Sequence, residues 1–177
     1  MTTLRHVDIV TSGFNRTEIG MSGEGYKYYW EDFRVGDTAP MGEKVVDKTE
    51  VIAFARMYDP QPFHIDEDAA RKSMFGGLIA SGWHTVGMVM RMMVDSYLRD
   101  SASLGSPGVD NVRWLKPVRP GDTIRATRTV VETRASKSRP EMGTVKSRWE
   151  VFNQHGELVM SMEGYGMFER RNPGEAV

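Results

Sequence analysis

The stretch IASGWHTVGMVMRMMVDSYL, residues 79–98, decides the fold. Val86, Met90, Met93 and Tyr97 recur at i, i+4, i+7 and i+11, which predicts a helix over Ile79–Leu98. Met88, Val89 and Met92 carry apolar character around the opposite side, so this helix belongs in a buried position. Unbranched methionines fill irregular space, and here they read as packing against a concave sheet rather than as a cofactor box. Ser81, Gly82, His84, Thr85, Gly87 and Arg91 interrupt the run, which falls short of the ~20 apolar residues of a lipid-spanning helix.

The elements around the helix come after it in the chain. Val109–Val118 reads as a strand and Arg119-Pro120-Gly121-Asp122 as a turn. Thr123–Thr133 is rich in β-branched residues and partly alternates. Val145–Phe152 and Leu158–Phe168 flank Asn153-Gln154-His155-Gly156, a good hairpin turn. Long hairpin-connected strands after a buried helix predict an α+β fold, with an antiparallel sheet wrapped around the helix.

Upstream, the aromatic cluster Tyr26–Phe33 is suited to anchoring a sheet edge. Val35-Gly36-Asp37 reads as a turn and Glu43–Val46 as a short strand. A helix is expected over Thr49–Tyr58, capped by Asp47 or Thr49, with Val51, Phe54, Ala55 and Tyr58 on one face. Asp59-Pro60 ends it, because proline disfavours helical geometry at the residue before it. A second short helix fits Asp66–Ser73, whose acidic start suits the positive end of the helix dipole. Residues 1–25 form an expected loose arm, residues 26–170 one domain, and residues 171–177 a frayed tail.

Composition bounds the function. The chain has 177 residues and 20.0 kDa, enough for one domain with a core of its own. Lys plus Arg number 23 against 24 Asp plus Glu, without the cationic surplus that nucleic-acid binding needs. The absence of cysteine excludes disulfides, thiolate-held zinc or iron–sulfur centres and thiol nucleophiles. The N-terminus lacks the apolar core of a secretory signal, so a cytoplasmic protein is expected. No close His/Asp/Glu set has metal-ligand spacing, and no metal is expected. Glycine-rich nucleotide loops are also missing.

Chemistry concentrates in Tyr58-Asp59-Pro60-Gln61-Pro62-Phe63-His64. An acid and an imidazole lie five residues apart, with two prolines between them holding a stiff, extended turn. Such a pair can work as base and acid on one water molecule, although a turn-capping aspartate and a packed histidine would look the same. Downstream, Phe75-Gly76-Gly77-Leu78-Ile79-Ala80-Ser81-Gly82 leads into the long helix. Free N–H groups at a helix start favour a developing oxyanion, and Gly82 has no side chain to block a carbonyl group. Tight helix–sheet packing is the alternative there. His84 could line the same pocket or sit in the core. Arg113, Lys116 and Arg119, and the basic tip Arg134, Lys137, Ser138 and Arg139, could meet the phosphates of a ligand or simply be solvated.

These segments together resemble the MaoC-like dehydratases, the (R)-specific enoyl-CoA hydratases of the hotdog fold. Tyr29–Asp37 is similar to the family's opening strand, and Val112–Thr123 to its strand after the central helix. The resemblance runs in family order over about residues 27–169. It implies a curved antiparallel sheet around one long helix and an acyl-CoA substrate, with coenzyme A as part of that substrate and no separate cofactor. It also implies a homodimer or a dimer-based oligomer. Asp59 and His64 correspond to the pair that activates water, and Gly82 to the position whose N–H binds the thioester oxygen. Gln61, Ser81, Phe63 and Ile79 are the expected substrate-binding residues. The family usually has asparagine where Gln61 stands, one methylene shorter. Reversible hydration of a trans-2-enoyl-CoA to the (R)-3-hydroxyacyl-CoA is the expected activity; a hotdog thioesterase or a non-catalytic acyl-CoA-binding module is the alternative.

Overall fold

The computed structural model describes residues 25–173. The elements run β1 (Thr38–Val45), α1 (Lys48–Tyr58), α2 (Pro62–Ile65), α3 (Glu67–Lys72), α4 (Gly82–Ser96), β2 (Ser103–Trp114), β3 (Thr123–Ala135), β4 (Met142–Phe152) and β5 (Leu158–Glu169). One-turn 3-10 helices occupy Trp30–Asp32 and Leu98–Asp100. The five strands make one antiparallel sheet in the order β1-β3-β4-β5-β2. All four α-helices fall between β1 and β2, and α4 packs on the inner face of the sheet, as the sequence predicts for an α+β fold.

The inner face follows from a period of two along each strand. Ile124, Ala126 and Val130 of β3 are buried, as are Val145, Ser147, Trp149 and Val151 of β4 and Met160, Met162 and Phe168 of β5. The register sets Ala126 beside Val151, and Val151 beside Met160. Met88, Val89, Met92 and Met93 of α4 complete this core. Each large side chain so buried contributes about 1.5–3 kcal/mol.

Several boundaries differ from expectation for identifiable reasons. Helix α4 begins at Gly82, not Ile79, because the N–H groups of Ile79 and Ala80 are already bound to Phe63 O and Val118 O. Ser81 caps it by accepting from the Trp83 N–H at 3.3 Å. Nor is the helix buried all round: Met90 is 45% exposed and Trp83 57%. Strand β2 begins at Ser103 rather than Val109, since its register shifts three times and Gly105, Gly108 and Asn111 take positive φ. It stops at Trp114, beyond which Leu115 and Lys116 both donate to Val159 O. Strand β1 starts at Thr38, ahead of a bulge between Pro40 and Glu43.

The aromatic cluster lands on the sheet's inner strands rather than along an edge. Trp30 and Phe33 form a second core with Val130, Val145 and Phe168. Gly143 makes room, since a Cβ there would collide with the Trp30 indole. Past β5, the backbone N–H groups of Arg171 and Asn172 donate to Glu31 at 3.0 and 3.2 Å. Residues 1–24 of the expected arm, including His6, and the tail from 174 lie outside the described residues.

Candidate active site

The end of α1 positions the acid. Asp59 is the C-cap residue, its N–H donating to Ala55 O at 2.8 Å. The segment after it is not the extended turn expected from two prolines. Gln61 is extended, as residues before proline are, and Pro62 begins the one-turn helix α2. Proline's fixed φ suits the first turn of a helix. The turn closes when the His64 N–H donates to Gln61 O at 2.9 Å, and it carries the imidazole back toward Asp59.

Both ring nitrogens are placed. His64 Nδ1 lies 2.8 Å from Ile79 O. A carbonyl only accepts, so Nδ1 carries a proton, and the lone pair of the neutral ring falls on Nε2. Nε2 faces Asp59 Oδ2 at 3.3 Å. Phe63 packs edge-on against the imidazole at 4.5 Å between centroids, and His64 is buried.

The carboxylate is held at both oxygens. Ser81 Oγ donates to Asp59 Oδ2 at 2.7 Å and Gln61 Nε2 to Oδ1 at 2.8 Å. These bonds, the serine's first, lower the Asp59 pKa below the ordinary carboxylate value despite partial desolvation, and His64 adds to the effect. The group is therefore an anion and an acceptor at neutral pH.

Gly82 opens α4, and its N–H meets no acceptor among the described residues. It sits at the positive end of a 15-residue helix, where a negative charge is stabilised. A side chain here is impossible without rearrangement, because a Cβ would run into the Trp114 indole. Asp59, His64, Gly82, Trp83 and Trp114 all border one cavity of about 510 Å³. It joins an imidazole, an anionic acceptor and an amide donor within mostly apolar walls.

The structure thus brings Asp59, His64 and Gly82 to one place, with Gln61, Phe63 and Ile79 around the cavity. Ser81 is fully buried and grips Asp59. Gln61, although it borders the cavity, has its amide committed to the same carboxylate. His84 does not border the cavity; it stacks on Phe54 at 4.9 Å. Lys116 is paired with Glu157, Arg119 donates to Phe75 O, and Arg139 pairs with Glu141. Sequence reasoning did not single out Trp114, whose ring covers Gly82 from β2. Its signal was an aromatic residue in the segment already noted, Val112–Thr123.

Comparison with known proteins gives consistent findings. Residues 34–151 match the profile of the MaoC-like domain family. A solved MaoC-like dehydratase from Rhodospirillum rubrum is 41% identical, covering 81% of this chain and 98% of that one, with a TM-score of 0.75. The (R)-specific enoyl-CoA hydratase of Rhodospirillum rubrum is 30% identical over 108 residues, 58% of this chain and 69% of that protein. The uncharacterized protein YdeM of Bacillus subtilis is 25% identical over 133 residues, 75% of this chain and 93% of that protein.

Proposed function

The chain belongs to the MaoC-like dehydratase family and has its hotdog fold, and from that premise we propose that it reversibly hydrates a trans-2-enoyl-CoA to the (R)-3-hydroxyacyl-CoA. The observation that carries this reading is the Asp59–His64 pair, 3.3 Å apart, in the cavity bordered by Gly82. The relatives named as hydratase and dehydratase support the same reaction class.

The chemistry follows from the atoms available. A water entering from the cavity meets both groups at once: the Asp59 carboxylate accepts one of its hydrogens, and His64 Nε2 removes the other as the oxygen adds to the β-carbon. Electrons of the double bond move toward the carbonyl, and charge gathers on the thioester oxygen. The Gly82 N–H and the α4 dipole stabilise it there; one such donor is typically worth about 2.7–4 kcal/mol of barrier. The imidazolium then returns its proton to the α-carbon, so that H and OH have been added and the site is restored. Asp59, ionised throughout, steadies the imidazolium in between.

The working unit in this reading is a homodimer. Strand β2 is an edge whose partner among the described residues is β5, and an unpaired edge invites a second chain. Val109, Trp114 and Leu115 on or beside it are exposed, as are Trp83 and Met90 of α4.

Incubation with crotonyl-CoA separates this activity from its rivals. Loss of enoyl absorbance without release of free thiol, giving the (R)-3-hydroxy product on chiral analysis, is the expected result. Thiol release without hydration would mean a thioesterase. Binding without consumption across a chain-length panel would mean a non-catalytic module.

A further inference from the structure

One charged side chain stands on the inner face of the sheet. Ala126 and Val130 of β3 are buried hydrophobic residues, and Arg128 projects from the same face between them. Ala39 of β1 and Trp149 of β4 are its neighbours across the sheet. The guanidinium carbon lies 4.3 Å from the ring centre of Tyr97 and 5.0 Å from that of Phe33. Those ring faces attract a cation but offer no lone pair in the plane of the guanidinium.

Arg128 Nε and Nη1 are shielded from solvent, yet neither has a well-aligned hydrogen-bond acceptor among the described residues. The indole Nε1 of Trp149 is likewise buried and without one. The Tyr97 hydroxyl lies near both side chains; burial raises its pKa, while Arg128 and Trp149 draw it down. That neutral oxygen is a single acceptor shared between Arg128 and Trp149, and it does not neutralise the charge. Asp32, which shares the small cavity on the β1 side of Arg128, is bound to Arg171 instead. Arg128 is half-buried, and a cation whose nitrogens are partly desolvated normally has an anionic or strongly polar partner. Here the protein supplies donors and leaves the anionic acceptor to something else.

A second cavity, of about 240 Å³, opens beside these donors. Val86, Met90 and Met93 of α4 and Val109 of β2 make it apolar, while Arg128 and Trp149 border it. The same two elements line the catalytic cavity, through Gly82 and Trp83 of α4 and Trp114 at the end of β2. The two cavities therefore succeed one another along one helix and one strand. The helical rise from Gly82 to Met93 is about 16 Å, the span of an extended chain of roughly a dozen carbons.

We propose that this second cavity takes the distal end of the acyl chain and that Arg128 binds a carboxylate there, so that the preferred substrates are ω-carboxy enoyl-CoA thioesters of medium chain length. A guanidinium meets a carboxylate through two parallel N–H bonds, and the Trp149 N–H is a third donor to the same group. The apolar walls accommodate the methylenes between. This inference rests on the acyl-thioester reading of the site and adds the chemical class of the acyl group to it.

The test measures binding apart from turnover. Saturated acyl-CoA esters of six to fourteen carbons, each with either a terminal methyl or a terminal carboxyl group, are titrated calorimetrically against the full chain. The expected result is that the carboxyl ester binds at least tenfold tighter than its methyl counterpart at the longer lengths. Arg128→Met, which keeps the stem, abolishes that preference, and Trp149→Phe reduces it. Equal binding of both series by the native protein overturns the proposal, as does a preference that survives in Arg128→Met. Because these esters carry no double bond to hydrate, the carboxyl preference is read whether or not crotonyl-CoA is turned over. Failure of the hydratase reading is thus seen separately.

Discussion

Ser81 Oγ donates to Asp59 Oδ2 across 2.7 Å, tying the cap of the central helix to the carboxylate beside His64. The same hydroxyl accepts from the Trp83 N–H, as one donor and two lone pairs allow. One buried side chain thereby fixes the start of α4, and with it the Gly82 amide, relative to the acid.

Ser81→Ala removes both bonds. Loss of the larger of the two hydrogen bonds that lower the Asp59 pKa lets it rise toward the ordinary carboxylate value. The carboxyl titration of Asp59, followed by its side-chain carboxyl carbon NMR signal against pH, accordingly moves to higher pH, because a proton now competes for the carboxylate sooner. Loss of the cap destabilises the fold by about 1 kcal/mol. A carboxyl titration unchanged from the native protein would separate Ser81 from the ionisation of Asp59.

Gln61→Leu keeps the volume of the side chain and deletes its bond to Asp59 Oδ1. The carboxylate then turns more freely, so kcat falls by about tenfold while KM changes little, since no substrate contact is lost. A raised KM with unchanged kcat would instead make Gln61 a substrate ligand. Gln61→Asn, the residue usual in the family, tests whether the shorter amide still reaches.

Gly82→Ala forces a methyl group into the Trp114 indole. The shift of the indole or of the helix start displaces the amide donor, and a displacement of this kind costs about 10²-fold in rate. Shortening the obstacle with Trp114→Leu in the same chain recovers part of the loss, which steady-state kinetics on crotonyl-CoA will reveal. If the double variant is no faster than Gly82→Ala, the collision is not the cause.

His84 gives a stability test outside the site. Burial lowers its pKa below the usual imidazole value, while Glu50 pulls it up and Lys44 pushes it down. The lowered value means that the unfolded ring binds a proton first, so its contribution is complete above about pH 6.5 and is lost as pH falls below it. His84→Phe keeps an aromatic ring beside Phe54 and removes the titration. Thermal melts at stepped pH should find a smaller decline in Tm on acidification in the variant; parallel declines would refute the link.

Legibility in the sequence tracked distance along the chain. Asp59 and His64 were visible because five residues and two prolines make their meeting a local matter. The central helix and the β4–β5 hairpin were visible through period and turn chemistry, which are also local. The start of α4 was not, because hydrogen bonds from Ile79 and Ala80 to the carbonyls of Phe63 and Val118 decide it. Strand β2 was hidden at its beginning by the Gly105 and Gly108 irregularities, which mimic a loop. Trp114 over Gly82 and Arg128 beside Trp149 are products of sheet register, and a partly alternating strand gives no sign that its one inward cation lacks an anionic partner.

Asp59 and His64 act as one unit on the proton of water in the proposed reaction, and neither should suffice alone. Loss of enoyl absorbance is the decisive reading, taken on the native chain and on Asp59→Asn and His64→Ala. Each variant is expected to bind a saturated acyl-CoA normally but to hydrate about 10²–10⁴-fold more slowly. Hydration at the native rate in both variants would rule the pair out as the catalytic groups.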